Sequence, residues 1–218
     1  MQPTEHSIKI ERTAHYYTLG NEIKSADHIW LLLHGYGQLA SRMIARFKNV
    51  DIDKHFFIAP EAISKHYVKR QPNFVGATWM TQEHRLDEIA DYIAYLSQVM
   101  TPIIAAMKPH QKINILGFSQ GTSTMWRYIH HSRLPFHSVI NWAGEFPPEL
   151  DYNEMLPYLN SIQHKYFCIG NKDEYLTTKH KEKLETFIAD NKLGFQFKLF
   201  EGTHVIDQEV FSDIIGEL

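Results

Sequence analysis

The sequence has little of what marks a secreted, membrane-spanning or nucleic-acid-binding protein. It holds one cysteine, Cys168, which excludes a disulfide within the chain and gives no sign of an oxidising compartment. The formal net charge of −3 leaves no electrostatic footprint for nucleic acid or an anionic membrane. No continuous apolar run approaches the ~18 residues that span a bilayer, and the polar stretch MQPTEHSIKIERT lacks the apolar core of a signal peptide. We therefore expect a cytoplasmic protein that has no nucleic-acid partner and no stable membrane insertion.

Repeats, low-complexity tracts and linkers rich in proline, glycine or serine are also missing. The 218 residues suit one α/β domain, and 44% of them are hydrophobic, which suffices for a sizeable core. We therefore expect a single domain over residues 1–218. Nothing in the sequence predicts its oligomeric state.

Short apolar runs alternate with segments of helical period. Six runs predict buried strands: HIWLLLHG (28–35), HFFIAP (55–60), KINILGF (112–118), HSVINWAG (137–144), KYFCIG (165–170) and GFQFKLFEG (194–202). Near-continuous apolar strands are typical of a parallel sheet that is covered on both faces. Two segments that alternate more strongly, Ile8–Ile10 and His15–Leu19, predict an antiparallel edge.

Two segments between the strands have the apolar spacing of helices. A helix that starts at Arg85 is expected to kink or end at Pro102, and its predicted buried face consists of Leu86, Ile89, Ile93, Leu96 and Met100. A second helix over 178–192 has an apolar face of Leu184, Phe187 and Ile188. The alternation of strands and helices predicts an α/β fold with a mostly parallel central sheet and helices on both faces.

A serine between two glycines follows one of these strands. The segment Gly117-Phe118-Ser119-Gln120-Gly121 precedes a predicted helix over 120–131 and matches G-x-S-x-G, the nucleophile elbow. Such a turn holds the serine in a strained backbone conformation and exposes its hydroxyl, and it needs glycines where strand and helix pass closely. The alternative is a turn of small residues in which Ser119 only caps the helix.

A catalytic serine needs a base, and the base needs an orienting acid. In the fold that carries this elbow, these partners follow the serine in the order acid, then histidine. Asp173 comes just after one predicted strand, and His204 comes just after the last. Glu174 is the alternative acid, and Asp207 can serve as a helix cap. The chain has 14 histidines, so the position of His204 and not its mere presence makes it the candidate base.

An oxyanion hole draws one amide from the residue after the nucleophile and one from a loop after an early strand. The first is Gln120. The segment His34-Gly35-Tyr36-Gly37 supplies the second, with the Tyr36 N–H as the candidate donor, although an ordinary glycine turn has the same composition. His34 is expected to be structural, packing beneath the loop.

Four motifs in this order resemble the phospholipase/carboxylesterase family of α/β-hydrolases, which includes acyl-protein thioesterases and small bacterial carboxylesterases. They are HGYG (34–37), GFSQG (117–121), GNKD (170–173) and GTH (202–204). The resemblance implies an α/β-hydrolase fold and a serine hydrolase without a metal or organic cofactor. It also implies a Ser119–Asp173–His204 triad with oxyanion amides at Tyr36 and Gln120. The chain departs from many members at Thr122, where they have a second glycine, and over 61–84.

The segment over 61–84 is expected to build the acyl or alcohol pocket. Pro72 and Gly76 prevent a long helix there, so a large lid is not predicted. Candidate lining residues are Trp79, Met80 and Trp142. The alternative is a surface loop that tucks its aromatic side chains into the core. Three cations of the segment can either attract an anionic substrate or form a solvated face: Lys65, Lys69 and Arg70.

Histidines are frequent, yet no H-x-x-x-H or H-E-x-x-H pair occurs, and the adjacent His130 and His131 point in different directions on a helix. No metal site is predicted.

The predicted function is therefore hydrolysis of carboxylic esters with short to medium acyl chains through an acyl-serine intermediate. The substrate is expected to be a small-molecule ester or thioester. The alternatives are an acyl thioesterase, a lysophospholipase and a non-catalytic binding protein of the same fold.

Overall fold

A computed structural model describes residues 2–68 and 73–218. Its strands are β1 Tyr16–Leu19, β2 His28–Leu33, β3 His55–Pro60, β4 Ser64–Tyr67, β5 Val75–Thr78, β6 Lys112–Phe118, β7 Phe136–Trp142, β8 His164–Gly170 and β9 Gln196–Phe200. Its helices are α1 Ala40–Ile44, α2 Arg85–Ala106, α3 Gln120–Ser132, α4 Tyr152–Leu159, α5 Thr178–Asp190 and α6 Gln208–Gly216. A 3₁₀ turn, Ala45–Phe47, follows α1.

Seven strands form the central sheet in the order β1-β3-β2-β6-β7-β8-β9. All neighbours in it are parallel except β1, which runs antiparallel to β3. Helices lie on both sides, which confirms the predicted fold class. All six runs predicted as buried strands are strands of this sheet, and residues 29–33 of β2 are fully buried. The burial predicted for the last run is wrong, because β9 lies at the edge of the sheet and only Phe200 of its five residues is buried. Strands β4 and β5 form a separate antiparallel hairpin.

Of the two strands that the sequence predicts for the antiparallel edge, only one is present. The segment around His15–Leu19 supplies β1, but the strand predicted at Ile8–Ile10 is wrong, since that segment has no regular structure and both isoleucines are largely exposed. Two isoleucines among polar residues bury too little apolar surface to offset the entropy of ordering the chain.

Helix α2 differs in two respects from its prediction. Leu86 is exposed and not part of the buried face. Leu96 and Met100 are buried as predicted, and Ile89 and Ile93 are partly buried. The rest of the buried face consists of Tyr92, Tyr95 and Val99. The helix also continues through Pro102 to Ala106. Proline removes one donor from the helix, and the carbonyl that loses it belongs to Gln98, an exposed residue that water can reach.

Within the described residues, α2 is also the one helix long and apolar enough, by length and composition, to cross a membrane. It qualifies through its overall composition and not through a continuous apolar run. Five of its residues belong to the hydrophobic core, and core helices pass the same test, so α2 is weak support for a membrane span.

Four histidines meet at the sheet edge where the parallel strands begin. His28 of β2 lies 5.1 Å from His55 of β3 and 6.2 Å from His137 of β7, and His137 lies 4.9 Å from His164 of β8, measured between ring centroids. Burial is the main cause that lowers the pKa of His28 and of His137 to about 4, and Lys112 and the neighbouring histidine rings lower both further. Burial likewise lowers the pKa of His55.

The lowered pKa values predict that this cluster makes the fold sensitive to acid. Above the ordinary histidine pKa of 6.5, His137 is neutral in both the folded and the unfolded chain. As the pH falls from 6.5 towards 4, His137 binds a proton in the unfolded chain but stays neutral in the folded chain. The free energy of unfolding therefore decreases as the pH falls. We expect His137→Gln to remove part of this fall. The measurement is the melting temperature between about pH 7.5 and pH 4.5.

The matched control is His131→Gln, which removes an exposed histidine from the end of α3. Equal losses of melting temperature in the His137 variant and the unmodified chain would show that His137 does not contribute to the acid sensitivity.

Candidate active site

Ser119 stands at the turn between β6 and α3 in a strained conformation, with φ 53° and ψ −120°. The close approach of the surrounding backbone explains both flanking glycines. A Cβ on Gly117 would lie 2.6 Å from the carbonyl oxygen of Gly121, and a Cβ on Gly121 would lie 2.0 Å from that of Leu33 in β2. No side chain fits in either place. The backbone N–H of Ser119 donates to the carbonyl of Trp142 at the end of β7, 2.9 Å away.

Asp173 and His204 meet beside this turn. His204 Nδ1 lies 2.8 Å from Asp173 Oδ2, and the other carboxylate oxygen accepts the backbone N–H groups of Tyr175 and Leu176 at 2.9 and 3.0 Å. The His204 ring packs against Phe118, the residue before Ser119, with 4.9 Å between ring centroids. The buried carboxylate thus has a partner on each oxygen and holds the ring so that Nε2 is its free nitrogen.

The two other acids considered for this site have different partners. Glu174 accepts the backbone N–H of His204 at 3.3 Å, so it contacts the loop and not the ring. Asp207 caps α6 by accepting the N–H groups of Glu209 and Val210, both at 3.0 Å. In the described part of the chain, the Ser119 hydroxyl has no hydrogen bond to the His204 ring.

The peptide unit between Gly35 and Tyr36 is held from its carbonyl side. The Gly35 carbonyl accepts from His34 Nδ1 at 2.8 Å and from the Gln38 N–H at 3.2 Å. Carbonyl and N–H point in opposite directions in a trans peptide, so the Tyr36 N–H points away from both donors. Residues 2–68 and 73–218 offer this N–H no hydrogen-bond partner. The loop adjoins the elbow, since a Cβ on Gly35 would lie 3.1 Å from Ser119 Cβ.

The peptide unit between Ser119 and Gln120 is held in the same way. The Ser119 carbonyl accepts from the Thr122 N–H at 2.9 Å and from Thr122 Oγ1 at 2.7 Å. The N–H of Gln120 therefore points away from Thr122, and it too has no partner within the described ranges. The two N–H groups named from the sequence thus both lack a hydrogen-bond acceptor in the described residues. The direction of each is fixed by hydrogen bonds to the carbonyl of its own peptide unit.

His34 is buried and supports its loop. Its Nε2 accepts the N–H of Ala62 at 3.0 Å, so the ring proton resides on Nδ1 and is donated to the Gly35 carbonyl. Burial lowers the His34 pKa to about 4, which keeps the ring neutral near pH 7. The Trp79 ring packs against it at a tilt of 32°, with 5.1 Å between ring centroids, and Trp79 donates its indole N–H to the His34 carbonyl at 2.8 Å.

The hairpin of β4 and β5 occupies much of the segment that sequence reasoning assigned to the pocket. Its Ala77 exchanges two backbone hydrogen bonds with the loop of residues 34–38, to Gly37 at 2.9 Å and to Gln38 at 3.0 Å. Lys65 pairs with the buried Glu61 at 2.6 Å, so its charge is already compensated. The other residues considered there, Lys69, Arg70 and Pro72, lie outside the described residues.

Both tryptophans predicted to line the pocket are buried. Trp79 bonds to the loop of residues 34–38 through the His34 carbonyl. Trp142 donates its indole N–H to the carbonyl of Val205, next to His204, at 2.8 Å. These positions favour a supporting role over a lining role. Met80 is half-buried, and its carbonyl accepts from Gln120 Nε2 at 2.9 Å, so it adjoins the elbow.

Sequence reasoning missed the side chain of Gln120. Its Oε1 accepts the Trp79 N–H at 3.1 Å and its Nε2 donates to the Met80 carbonyl, while Thr78 bonds to both ends of the amide. One side chain thus fastens residues 78–80 to the elbow. Only its place inside the GFSQG motif could have drawn attention to it. Across the described ranges, no three His, Cys, Asp or Glu side chains are grouped so that they could hold a metal ion.

A family model described as phospholipase/carboxylesterase matches residues 17–218. Among solved structures, Zea mays acyl-protein thioesterase 2 superposes with a TM-score of 0.68 at 14% identity, over 94% of this chain and 97% of that one. Esterase PE8 has a TM-score of 0.66 at 20% identity, over 94% and 99%. A carboxylesterase from Mesorhizobium loti has a TM-score of 0.65 at 16% identity, over 94% and 93%. No curated protein sequence matches the chain.

Proposed function

The chain belongs to the phospholipase/carboxylesterase family, and on that premise we propose that it hydrolyses carboxylic esters of short to medium acyl chains through an acyl-Ser119 intermediate. Family membership makes it an enzyme of the esterase and thioesterase type. The observation that supports the acyl-Ser119 mechanism is the hydrogen bond between Asp173 and His204. The His204 ring in turn packs against Phe118, the residue before the strained Ser119.

In the proposed first step, Ser119 Oγ attacks the ester carbonyl carbon while His204 Nε2 takes the hydroxyl proton. Asp173 accepts the Nδ1–H, which fixes the tautomer and stabilises the imidazolium that forms. Catalytic hydrogen bonds are often long or unformed in ligand-free enzymes and tighten around substrate. The missing contact between Ser119 and His204 is therefore expected to form when an ester binds.

The carbonyl oxygen gains negative charge as the tetrahedral intermediate forms. We assign the stabilisation of this charge to the N–H groups of Tyr36 and Gln120. Both have no acceptor in the described residues, and the carbonyl of each peptide unit is held by hydrogen bonds. His204 then gives its proton to the leaving alkoxide, and the acyl-enzyme remains. A water molecule then attacks the acyl-enzyme carbonyl while His204 takes its proton. His204 returns this proton to Ser119 Oγ as the carboxylic acid leaves.

An acyl thioesterase or lysophospholipase is the second candidate. The likeness to an acyl-protein thioesterase favours it, although at 14% identity this likeness concerns the fold. The same nucleophile and oxyanion groups serve esters and thioesters alike. A non-catalytic binding protein is the less favoured reading because serine, acid and histidine are all present. The proposal further treats residues 1–218 as one domain in the cytoplasm, where the buried thiol of Cys168 needs no partner.

The proposal is tested first by covalent labelling of the serine. A fluorophosphonate probe should label the native protein at one site and should not label Ser119→Ala. Ser123→Ala is the matched control, since Ser123 lies one turn further along α3, and it should label like the native protein. The readout is intact mass together with peptide mapping. Labelling that persists in Ser119→Ala would contradict the assignment.

The base and its acid are tested by steady-state kinetics on a p-nitrophenyl ester. His204→Gln and Asp173→Asn should each lower kcat by about a thousandfold or more, as loss of a triad member does elsewhere. Glu174→Gln is the control, because that carboxylate bonds to backbone, and it should retain most of the activity. A near-native rate in His204→Gln would require another base, and an equal loss in Glu174→Gln would undo the choice of Asp173.

Acyl-chain preference is tested at Met80, the half-buried predicted lining residue beside the elbow. One methylene in an apolar pocket changes binding by about 1–3 kcal/mol, so we expect a graded preference that Met80→Ala shifts towards longer chains. The measurement is kcat/KM over a series of p-nitrophenyl esters, with acyl thioesters in the same series to test the second candidate. Met107→Ala, at the end of α2, is the control. An unchanged chain-length profile in Met80→Ala would remove Met80 from the pocket.

A further inference from the structure

Thr122 is a buried polar residue in the first turn of α3 with no role in the mechanism above. Its hydroxyl donates to the Ser119 carbonyl at 2.7 Å, closer than its own backbone N–H at 2.9 Å. Ser119 is the residue with the strained backbone, and its carbonyl belongs to the peptide unit that carries the Gln120 N–H. The Thr122 hydroxyl therefore bonds to the carbonyl of the same peptide unit whose N–H is the proposed oxyanion donor.

The position of this hydroxyl is confined by its surroundings. The Glu145 carbonyl is a second acceptor, at 3.2 Å from Oγ1, so the bond to Ser119 is the shorter of the two. A Cβ on Gly144 would lie 2.1 Å from Thr122 Oγ1 and 2.4 Å from the Ser119 carbonyl oxygen. Gly144 is itself held, because Asn141 donates to its carbonyl at 2.8 Å. The hydroxyl thus has little freedom to leave the Ser119 carbonyl.

We propose that Thr122 is a positioning residue whose hydroxyl fixes the Ser119–Gln120 peptide, and with it the direction of the oxyanion N–H. The proposal rests on the oxyanion role assigned to Gln120 under the proposed function. A glycine at this position, as in many members of the family, would leave only the backbone N–H on the Ser119 carbonyl.

The effect belongs to the transition state. An oxyanion donor contributes most when it is already aimed at the place where charge develops, because no reorganisation is then needed during the reaction. With one donor left on the Ser119 carbonyl, the peptide can tilt and its N–H loses that aim. The bound ester carries little charge on its carbonyl oxygen. Loss of the hydroxyl therefore lowers kcat and leaves KM nearly unchanged.

The experiment compares Thr122→Ser with Thr122→Ala, two variants that differ by one oxygen atom. Both lose the threonine methyl group, so a difference between them reports the hydroxyl alone. We expect Thr122→Ser to keep kcat within about twofold of the native enzyme and Thr122→Ala to lose about tenfold, less than the hundredfold or more that removal of a whole oxyanion donor costs. Rates are divided by the concentration of sites that a fluorophosphonate titrates, so partial unfolding does not imitate the effect.

A second readout follows the oxyanion itself. A trifluoromethyl ketone adds Ser119 Oγ to its carbonyl carbon, and the resulting hemiketal oxygen occupies the oxyanion hole. Its inhibition constant should rise in Thr122→Ala by the factor by which kcat/KM falls. Thr122→Val keeps the branched shape of the side chain and lacks the hydroxyl, so it should also lower kcat at nearly constant KM. It provides a separate test where Thr122→Ala does not fold.

Equal kcat values in the serine and alanine variants, or a loss confined to KM, would overturn the role of Thr122. A native enzyme that neither hydrolyses esters nor takes the phosphonate on Ser119 would instead overturn the proposed function. The two failures are therefore distinguishable in the same set of samples.

Discussion

The close approach of α3 to strands β2 and β6 is the constraint on which the arrangement around Ser119 depends. Helix and strands come so near at Gly117 and Gly121 that no Cβ fits there. The chain can turn in that space only with Ser119 in the left-handed region, where a residue with a side chain is strained. The strain exposes the hydroxyl, and the first turn of the helix holds the Ser119 carbonyl. The proposed reactivity of Ser119 and the proposed oxyanion geometry thus depend on one packing contact.

A chain of hydrogen bonds joins the two proposed oxyanion amides to one another. The Gln120 side chain fastens residues 78–80 to the elbow, and Trp79 in turn donates to the His34 carbonyl. His34 donates to the Gly35 carbonyl and so fixes the peptide of Tyr36. Most of these groups are buried, and hydrogen bonds that are fully satisfied in a low-dielectric interior hold their members rigidly.

The sequence predicts the central strands of the sheet well because they are buried and stand out as apolar runs, whereas the edge strands β1 and β9 are largely exposed. It predicts the region of the site because GFSQG, GNKD and GTH each follow a strand, and parallel strands end at one edge of a sheet. Side-chain partners that lie far apart in sequence are another matter. Trp79 and Trp142 look like pocket aromatics, and only the fold reveals that their indole N–H groups bond to His34 and Val205. For the same reason Thr122 first appears as a mere departure from a motif.

The most direct test of the oxyanion geometry is a crystal structure of the enzyme with a phosphonate bound covalently to Ser119. The phosphoryl oxygen of such an adduct occupies the place of the oxyanion. We expect it to lie about 2.7–3.1 Å from the backbone nitrogens of both Tyr36 and Gln120, with the Thr122 hydroxyl still on the Ser119 carbonyl. A phosphoryl oxygen that points to solvent, or that binds neither amide, would contradict the assignment of the site.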